Sequence, residues 1–195
     1  LGGPPPMTPD KQPGPEVNPE AAKEAVRVRK LAEALEPEIT GIMTRMAGQY
    51  GGELVSLEQR LKTTDRIAQK IEREAKSRGE SHADVASKVN DSVRYTMKFG
   101  DDDYTRGVTK TLDALKAQGY EMRVKNYWKE GDPYQGINVV LKKNGVVTEL
   151  QFHSPTSYDV KEKDNHALYV KYQNSKSNEE RRKLWSDMST TSRSR

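Results

Sequence analysis

Cysteine is absent from all 195 residues, which excludes disulfides and thiolate metal sites and leaves the redox compartment open. Apolar residues are scarce too, at 33% against 32% charged, so the core is expected to be modest and part of the chain extended or disordered. No apolar run approaches the ~20 residues of a membrane span, and no charged-then-apolar signal segment opens the chain. These absences predict a soluble protein with no membrane partner. No internal repeat is visible, and the length suits one domain with tails. The net charge of +4 permits a phosphate-bearing or RNA partner, although a dedicated nucleic-acid binder usually carries more.

What the chain does have is three strand-like stretches that each present one apolar and one polar face. Successive side chains of a strand point to opposite sides, so in Glu149–Ser154 the residues Leu150 and Phe152 face a core while Glu149, Gln151 and His153 form a polar row. The same parity sets Val93, Tyr95, Met97 and Phe99 against Ser92, Arg94, Thr96 and Lys98, and Ile137, Val139 and Leu141 against Tyr134, Gly136 and Asn138. Paired on a common core, the three strands gather an acid, an amide, a histidine, an arginine and a phenol on the opposite face.

Around these strands the pattern is helical. Leu1–Val17 holds most of the prolines and is expected to be a disordered linker or tag remnant. Asn18-Pro19-Glu20 is a helix start, with a run to about Glu36. Pro37 opens a second helix carrying Ile39, Ile42, Met43 and Met46, which Gly51-Gly52 stops. Leu54, Leu57 and Leu61 suggest a third helix over Glu53–Leu61. Thr63 or Thr64 then caps another, with Asp65 in its first turn, so that Arg60 and Lys62 fall at a joint and Arg66, Lys70 and Arg73 line the next helix. That stretch reads either as a solvated basic helix or as a phosphate clamp beside a helix N-terminus. Asp101-Asp102-Asp103 precedes the helix Tyr104–Gln118 and is read as capping. Strands follow at Tyr120–Tyr127, Tyr134–Leu141 and Val146–His153, the last two joined by the hairpin signal Lys143-Asn-Gly145. After Pro155 helical periodicity returns to near Gln173, with a last helix over Glu179–Met188.

Taken as an ordered set, Arg60-x-Lys62-x-x-x-Arg66-Ile-x-x-Lys70-Ile, an acid-led strand carrying Arg94, Tyr134-x-Gly-Ile-Asn138 and Glu149-Leu-Gln-Phe-His153 resemble the synthetase domain of the RelA/SpoT family, the alarmone synthetases and related toxins. The resemblance spans roughly Glu53 to Gln173. It agrees with an α+β fold: N-terminal helices on a mixed, mainly antiparallel four- to five-stranded sheet, with C-terminal helices. The layout is a leader over 1–17, a domain over 18–188 divided into helical (18–88), sheet (89–154) and C-terminal helical (155–188) parts, and a tail over 189–195.

The resemblance implies transfer of pyrophosphate from ATP to a ribose hydroxyl of a nucleotide or of an RNA 3′ end. Arg60, Lys62, Arg66 and Lys70 would grip the ATP phosphates, Arg94 would lie near ATP, and Asp91 with Glu149 would hold Mg²⁺. Glu149, beside Gln151, would orient or deprotonate the attacking hydroxyl. Tyr134, Asn138 and His153 would receive the acceptor, with Tyr134 stacked on its base. A cytoplasmic site of action is implied, or delivery to a target cell's cytoplasm if the chain is a toxin module restrained by an antitoxin or immunity protein. Oligomeric state is left open.

Several positions differ from the family pattern. Ser92 and Val89 stand where it has Gly and Asp, Arg66 replaces a serine, Asn138 a histidine and His153 an arginine. These differences favour a second reading, a domain of the same fold that only binds nucleotide or RNA, or is a structural part of a phage or secretion protein. A third is NAD-dependent ADP-ribosyl transfer through Glu149, Gln151 and Arg94.

Overall fold

The computed structural model describes residues 2–128 and 135–163. Its longest element is α1 (Pro19–Tyr50), started by the Asn18 side chain, which accepts the Glu20 N–H at 2.9 Å, and closed by Gly51 at φ +76°. The two helices expected on either side of Pro37 are therefore one. Pro37 forfeits a helical hydrogen bond, at a cost of roughly 3 kcal/mol, but both halves of the helix are anchored. Ala21, Ala25 and Val28 pack with Ile67, Ile71 and Val85 of the next two helices. Ile39, Ile42, Met43 and Met46 pack on the sheet. Each large aliphatic side chain so buried contributes about 1.5–3 kcal/mol, enough together to carry the helix through the proline.

The third helix expected over Glu53–Leu61 is absent. Glu53–Val55 forms strand β1, Leu57–Gln59 a 3-10 turn, and Leu61 makes an isolated bridge to Val93. The spacing of Leu54, Leu57 and Leu61 is helical, but the open edge of the following strand supplies backbone partners that an isolated short helix lacks. Thr63 caps α2 (Thr64–Arg78) by accepting the Arg66 N–H at 3.3 Å, and the short α3 (His82–Ser87) leads into the sheet.

Strands β2 (Arg94–Lys98), β3 (Glu121–Asn126), β4 (Ile137–Lys143) and β5 (Val146–His153) join β1 in the order β1-β2-β5-β4-β3, with α4 (Tyr104–Ala117) between β2 and β3. Only β2 and β5 are parallel, so the sheet is mixed and mainly antiparallel. The β4–β5 hairpin turns through Asn144 and Gly145, both at positive φ (53° and 77°), as the sequence signal requires. Val93, Tyr95, Met97, Phe99, Val139, Leu141, Leu150 and Phe152 are all buried in one core with α1 and α4. The alternation therefore assigned the apolar face correctly. Residues 155–163, α5, are helical after β5.

Residues 2–17 differ from the linker expected of them. Val17 is buried in the helical core and Met7 packs against the sheet core. The Thr8 N–H donates to the Glu58 carbonyl at 2.8 Å, and the Asp65 N–H to the Lys11 carbonyl at 2.8 Å. Proline fixes φ without removing hydrogen-bonding capacity from its neighbours, so a proline-rich stretch can lie extended along a folded surface. Among the described residues no helix is long and apolar enough to cross a membrane. The helix expected over Glu179–Met188, the tail over 189–195 and the continuation of α5 toward Gln173 lie outside the described residues.

Candidate active site

The site forms where the segment before α2 meets the start of β2. The Arg94 N–H donates to the Arg60 carbonyl at 2.9 Å and the Lys62 N–H to the Ser92 carbonyl at 3.0 Å. This short ladder carries Lys62 alongside Asp91. Lys70, two turns into α2, reaches the same carboxylate, its Nζ 3.0 Å from Asp91 Oδ1, while the Lys62 ammonium pairs with Oδ2. Asp91 is 1% exposed. Burial alone would raise its pKa, but the two lysines hold the carboxyl well below the usual carboxylate range.

The parallel register of β2 and β5 sets Arg94 directly beside Glu149, and Thr96 beside Gln151. Glu149, Gln151 and Asn138 are all buried, with Asn138 opposite Gln151 across β4 and β5. The polar row is thus enclosed, although its residues alternate with a core face that is equally dry. Burial pushes the Glu149 pKa up and the nearby Asp91 charge adds to this, against a hydrogen bond from Gln151 and the charges of Arg94 and Lys62. Gln151 Nε2 donates to Glu149 Oε1 at 2.6 Å. Arg66 lies over the same region: burial brings its pKa down to about 10, Arg94 contributes in the same sense, and Asp91 opposes it. Among the described residues no acid forms an ion pair with Arg66 or Arg94.

Two predicted site residues are placed differently. Arg60 turns its guanidinium to the buried Glu36 of α1 and to the carbonyls of Pro5 and Leu57, both at 2.9 Å, and so does not join Lys62 and Lys70 at Asp91. His153 is fully buried, with Nδ1 2.9 Å from Ser157 Oγ and its ring edge-on to Tyr158. Burial, with the Lys161 charge adding, pulls its pKa down to about 3, so it is a neutral imidazole at physiological pH. Tyr134 lies outside the described residues. The capping expected of Asp101–Asp103 is met in position only, since Asp103 occupies the N-cap of α4 without a side-chain bond.

One site residue was not anticipated. Lys161 of α5 is buried and donates from Nζ to Gln151 Oε1 at 2.8 Å. Its signal in the sequence is a polar helical stripe, Ser154, Ser157 and Lys161, at the i, i+3, i+7 spacing normally read on apolar residues. Four cations, Lys62, Arg66, Lys70 and Arg94, therefore surround two carboxylates, with Lys161 bonded to Gln151 beside them. Such an excess suits a polyanionic ligand. Among the described residues no group of three or more His, Asp or Glu could hold a metal. Asp91 and Glu149, whose charges repel, are the carboxylates that would hold a hard divalent cation, with Asp91 exchanging its lysine contacts for the ion.

No protein-family model and no curated protein matches this sequence. Solved structures do. The small alarmone synthetase 1 from Bacillus subtilis bound to its product pppGpp is 15% identical, with a TM-score of 0.51 over 90% of this chain and 93% of that one. A GTP pyrophosphokinase family protein from Streptococcus pneumoniae is 16% identical, with a TM-score of 0.51 over 90% of this chain and 89% of that one. These likenesses show that the chain has the fold of the small alarmone synthetases.

Proposed function

We propose that this protein is a nucleotide pyrophosphokinase that transfers pyrophosphate from ATP to a ribose hydroxyl of a nucleotide or of an RNA 3′ end. The observation that carries the reading is the buried Glu149 beside Arg94 and near Lys62, next to Asp91 with its own cations Lys62, Lys70 and Arg66. The hydroxyl oxygen attacks the β-phosphorus, the bond to the oxygen bridging the α- and β-phosphorus atoms breaks, AMP leaves, and the hydroxyl proton passes to Glu149. Phosphoryl transfer depends on positioning and charge compensation more than on covalent catalysis, and the cationic surplus supplies both. A raised carboxyl pKa makes Glu149 a better proton acceptor near neutral pH. A divalent ion, Mg²⁺ in this reading, would be held by Asp91 and Glu149 with the nucleotide phosphates and would spread their negative charge.

Incubation with labelled ATP, Mg²⁺ and GDP, GTP, ADP, AMP or bulk tRNA should give a labelled pyrophosphorylated product and identify the acceptor. Glu149→Gln should lower the rate by about 10²–10⁴-fold, the range for loss of a general base. Binding without turnover is the second reading, favoured by one observation: Lys62 and Lys70 are both engaged by Asp91. Retained ATP binding with no product from any acceptor would select it. A toxin role checked by a cognate antitoxin or immunity protein belongs to the same proposal, and growth arrest on expression that Glu149→Gln abolishes would support it.

A further inference from the structure

Lys161 is a buried ammonium whose hydrogen-bond partner is a neutral amide. It is 9% exposed, and among the described residues it forms no ion pair. Burying a charge without a direct ion-pair partner is unfavourable, and the charges of Glu162 and Glu149 offset this only in part, so stability alone does not account for a lysine here. Burial, with Arg94 adding, brings its pKa down to about 8, which leaves it mainly protonated at neutral pH.

The geometry of its contact shows what the charge does. Lys161 Nζ donates to Gln151 Oε1 at 2.8 Å, and Gln151 Nε2 donates to Glu149 Oε1 at 2.6 Å. An ammonium has donors only and a carboxylate acceptors only, so the amide between them has a single compatible orientation. Turned over, it would set its NH₂ against an ammonium and its oxygen against a carboxylate. The residues themselves thus fix an amide orientation that heavy-atom positions alone seldom settle.

We propose that Lys161 is a positioning residue for Glu149: by holding the Gln151 oxygen it directs the Gln151 N–H to one carboxylate oxygen and leaves the other for the attacking hydroxyl. The inference rests on the reading of Glu149 as the proton acceptor. It also explains why α5 turns a polar stripe toward the sheet. Ser154 and Ser157 close the helix start on each other, with the Ser154 N–H donating to Ser157 Oγ at 3.0 Å, and fix the helix from which Lys161 projects.

The test compares wild type with Lys161→Met, Lys161→Arg, Gln151→Leu and the Lys161→Met/Gln151→Leu double variant. The first readout is the pair of Gln151 side-chain amide proton signals by NMR, assigned from their disappearance in Gln151→Leu. These should be well separated in wild type and in Lys161→Arg, and collapse toward the values of a free glutamine in Lys161→Met. The second readout is kinetic. Lys161→Met should lower kcat by about 10–100-fold, as loss of an outer-shell partner does, while KM for ATP changes by less than about twofold. Lys161→Arg should recover most of the rate, and in the Gln151→Leu background Lys161→Met should add no further loss. If Lys161→Met does not fold, Lys161→Gln replaces it, because an amide both donates and accepts and cannot enforce the orientation. Unchanged Gln151 signals in the neutral variant, or losses that multiply in the double variant, would overturn the proposal. Absence of product from wild type would instead overturn the pyrophosphokinase reading, and the amide signals would still decide the relay.

Discussion

Asp91 is bonded to two ammonium groups, so what its replacement does is set by the charges left behind. Lys62 has a side chain that is 0% exposed, and Asp91→Ala would leave it beside Lys70 with both charges buried. The expected cost is about 3–5 kcal/mol, the range for removing one partner of a buried pair, read as a lower urea midpoint at pH 7. Because the folded pKa of Asp91 lies below its ordinary 3.8, this contribution is complete above that pH and is lost on further acidification. His153 acts at a higher pH. Its folded pKa of about 3 lies below the ordinary 6.5, so between those values the unfolded state binds a proton that the folded state refuses. Stability should therefore fall on acidification from pH 6.5 toward 3 by up to about 1.4 kcal/mol per pH unit. Denaturant titrations of wild type and His153→Asn across that window check the sign: the variant should lose this part of the slope, and an unchanged slope would place the titrating group elsewhere.

At the scale of the element, Pro37 is the position where local preference and tertiary packing disagree. Both halves of α1 are buried, one on the α2–α3 pair and one on the sheet, and the helix persists through a residue that cannot donate to Glu33. Pro37→Ala restores that donor and should raise stability by roughly 1–3 kcal/mol, seen as a higher urea midpoint at unchanged m-value. A fall in midpoint would mean that the proline geometry is built into the helix. The same contrast between local and distant forces separates what could be read from the sequence from what could not. The α2 cap at Thr63, the Asn144-Gly145 turn and the alternation in β2 and β5 depend on neighbours within a few residues. β1 is three residues long and is a strand only through its pairing with β2. At the site, strand parity put Arg94, Glu149 and Gln151 on one face, where the structure places them together. Arg60 escaped because its direction is decided by Glu36, 24 residues away on α1. Lys161 escaped because its buried helical face is polar, and burial is ordinarily inferred from apolar spacing.

For the molecule as a whole, the leader joins the two hydrophobic clusters that α1 spans. Val17 belongs to the helical cluster and Met7 to the sheet cluster. Between them Asp10 sits at the start of α2, accepting the Thr64 N–H at 2.8 Å and the Thr64 hydroxyl at 2.7 Å, with Arg29 3.4 Å away. An acid at a helix N-terminus satisfies an otherwise unpaired N–H and complements the helix dipole. Pro5 completes the strap by accepting from the Arg60 guanidinium. Deleting residues 1–12 removes the Asp10 cap, worth about 0.5–2 kcal/mol, and the Pro5, Thr8 and Lys11 hydrogen bonds, each worth about 0.5–1.5 kcal/mol. The order the leader gives up on folding offsets part of that sum, so a net loss on the order of 2–4 kcal/mol is expected. Asp10→Ala alone should account for the cap portion, in full above the ordinary carboxylate pKa of 3.8 and progressively less on acidification below it, since against the opposing effect of burial Thr64 and Arg29 hold the Asp10 carboxyl below that value. Urea titrations of the full chain, the deletion and Asp10→Ala at pH 7 and pH 3 separate the contributions. A deletion that leaves the midpoint unchanged would make the leader an appendage lying on a fold that does not need it, whereas a loss that Asp10→Ala reproduces in part at pH 7 and to a smaller extent at pH 3 would make it a strap fastened at the start of α2, two residues from Lys62.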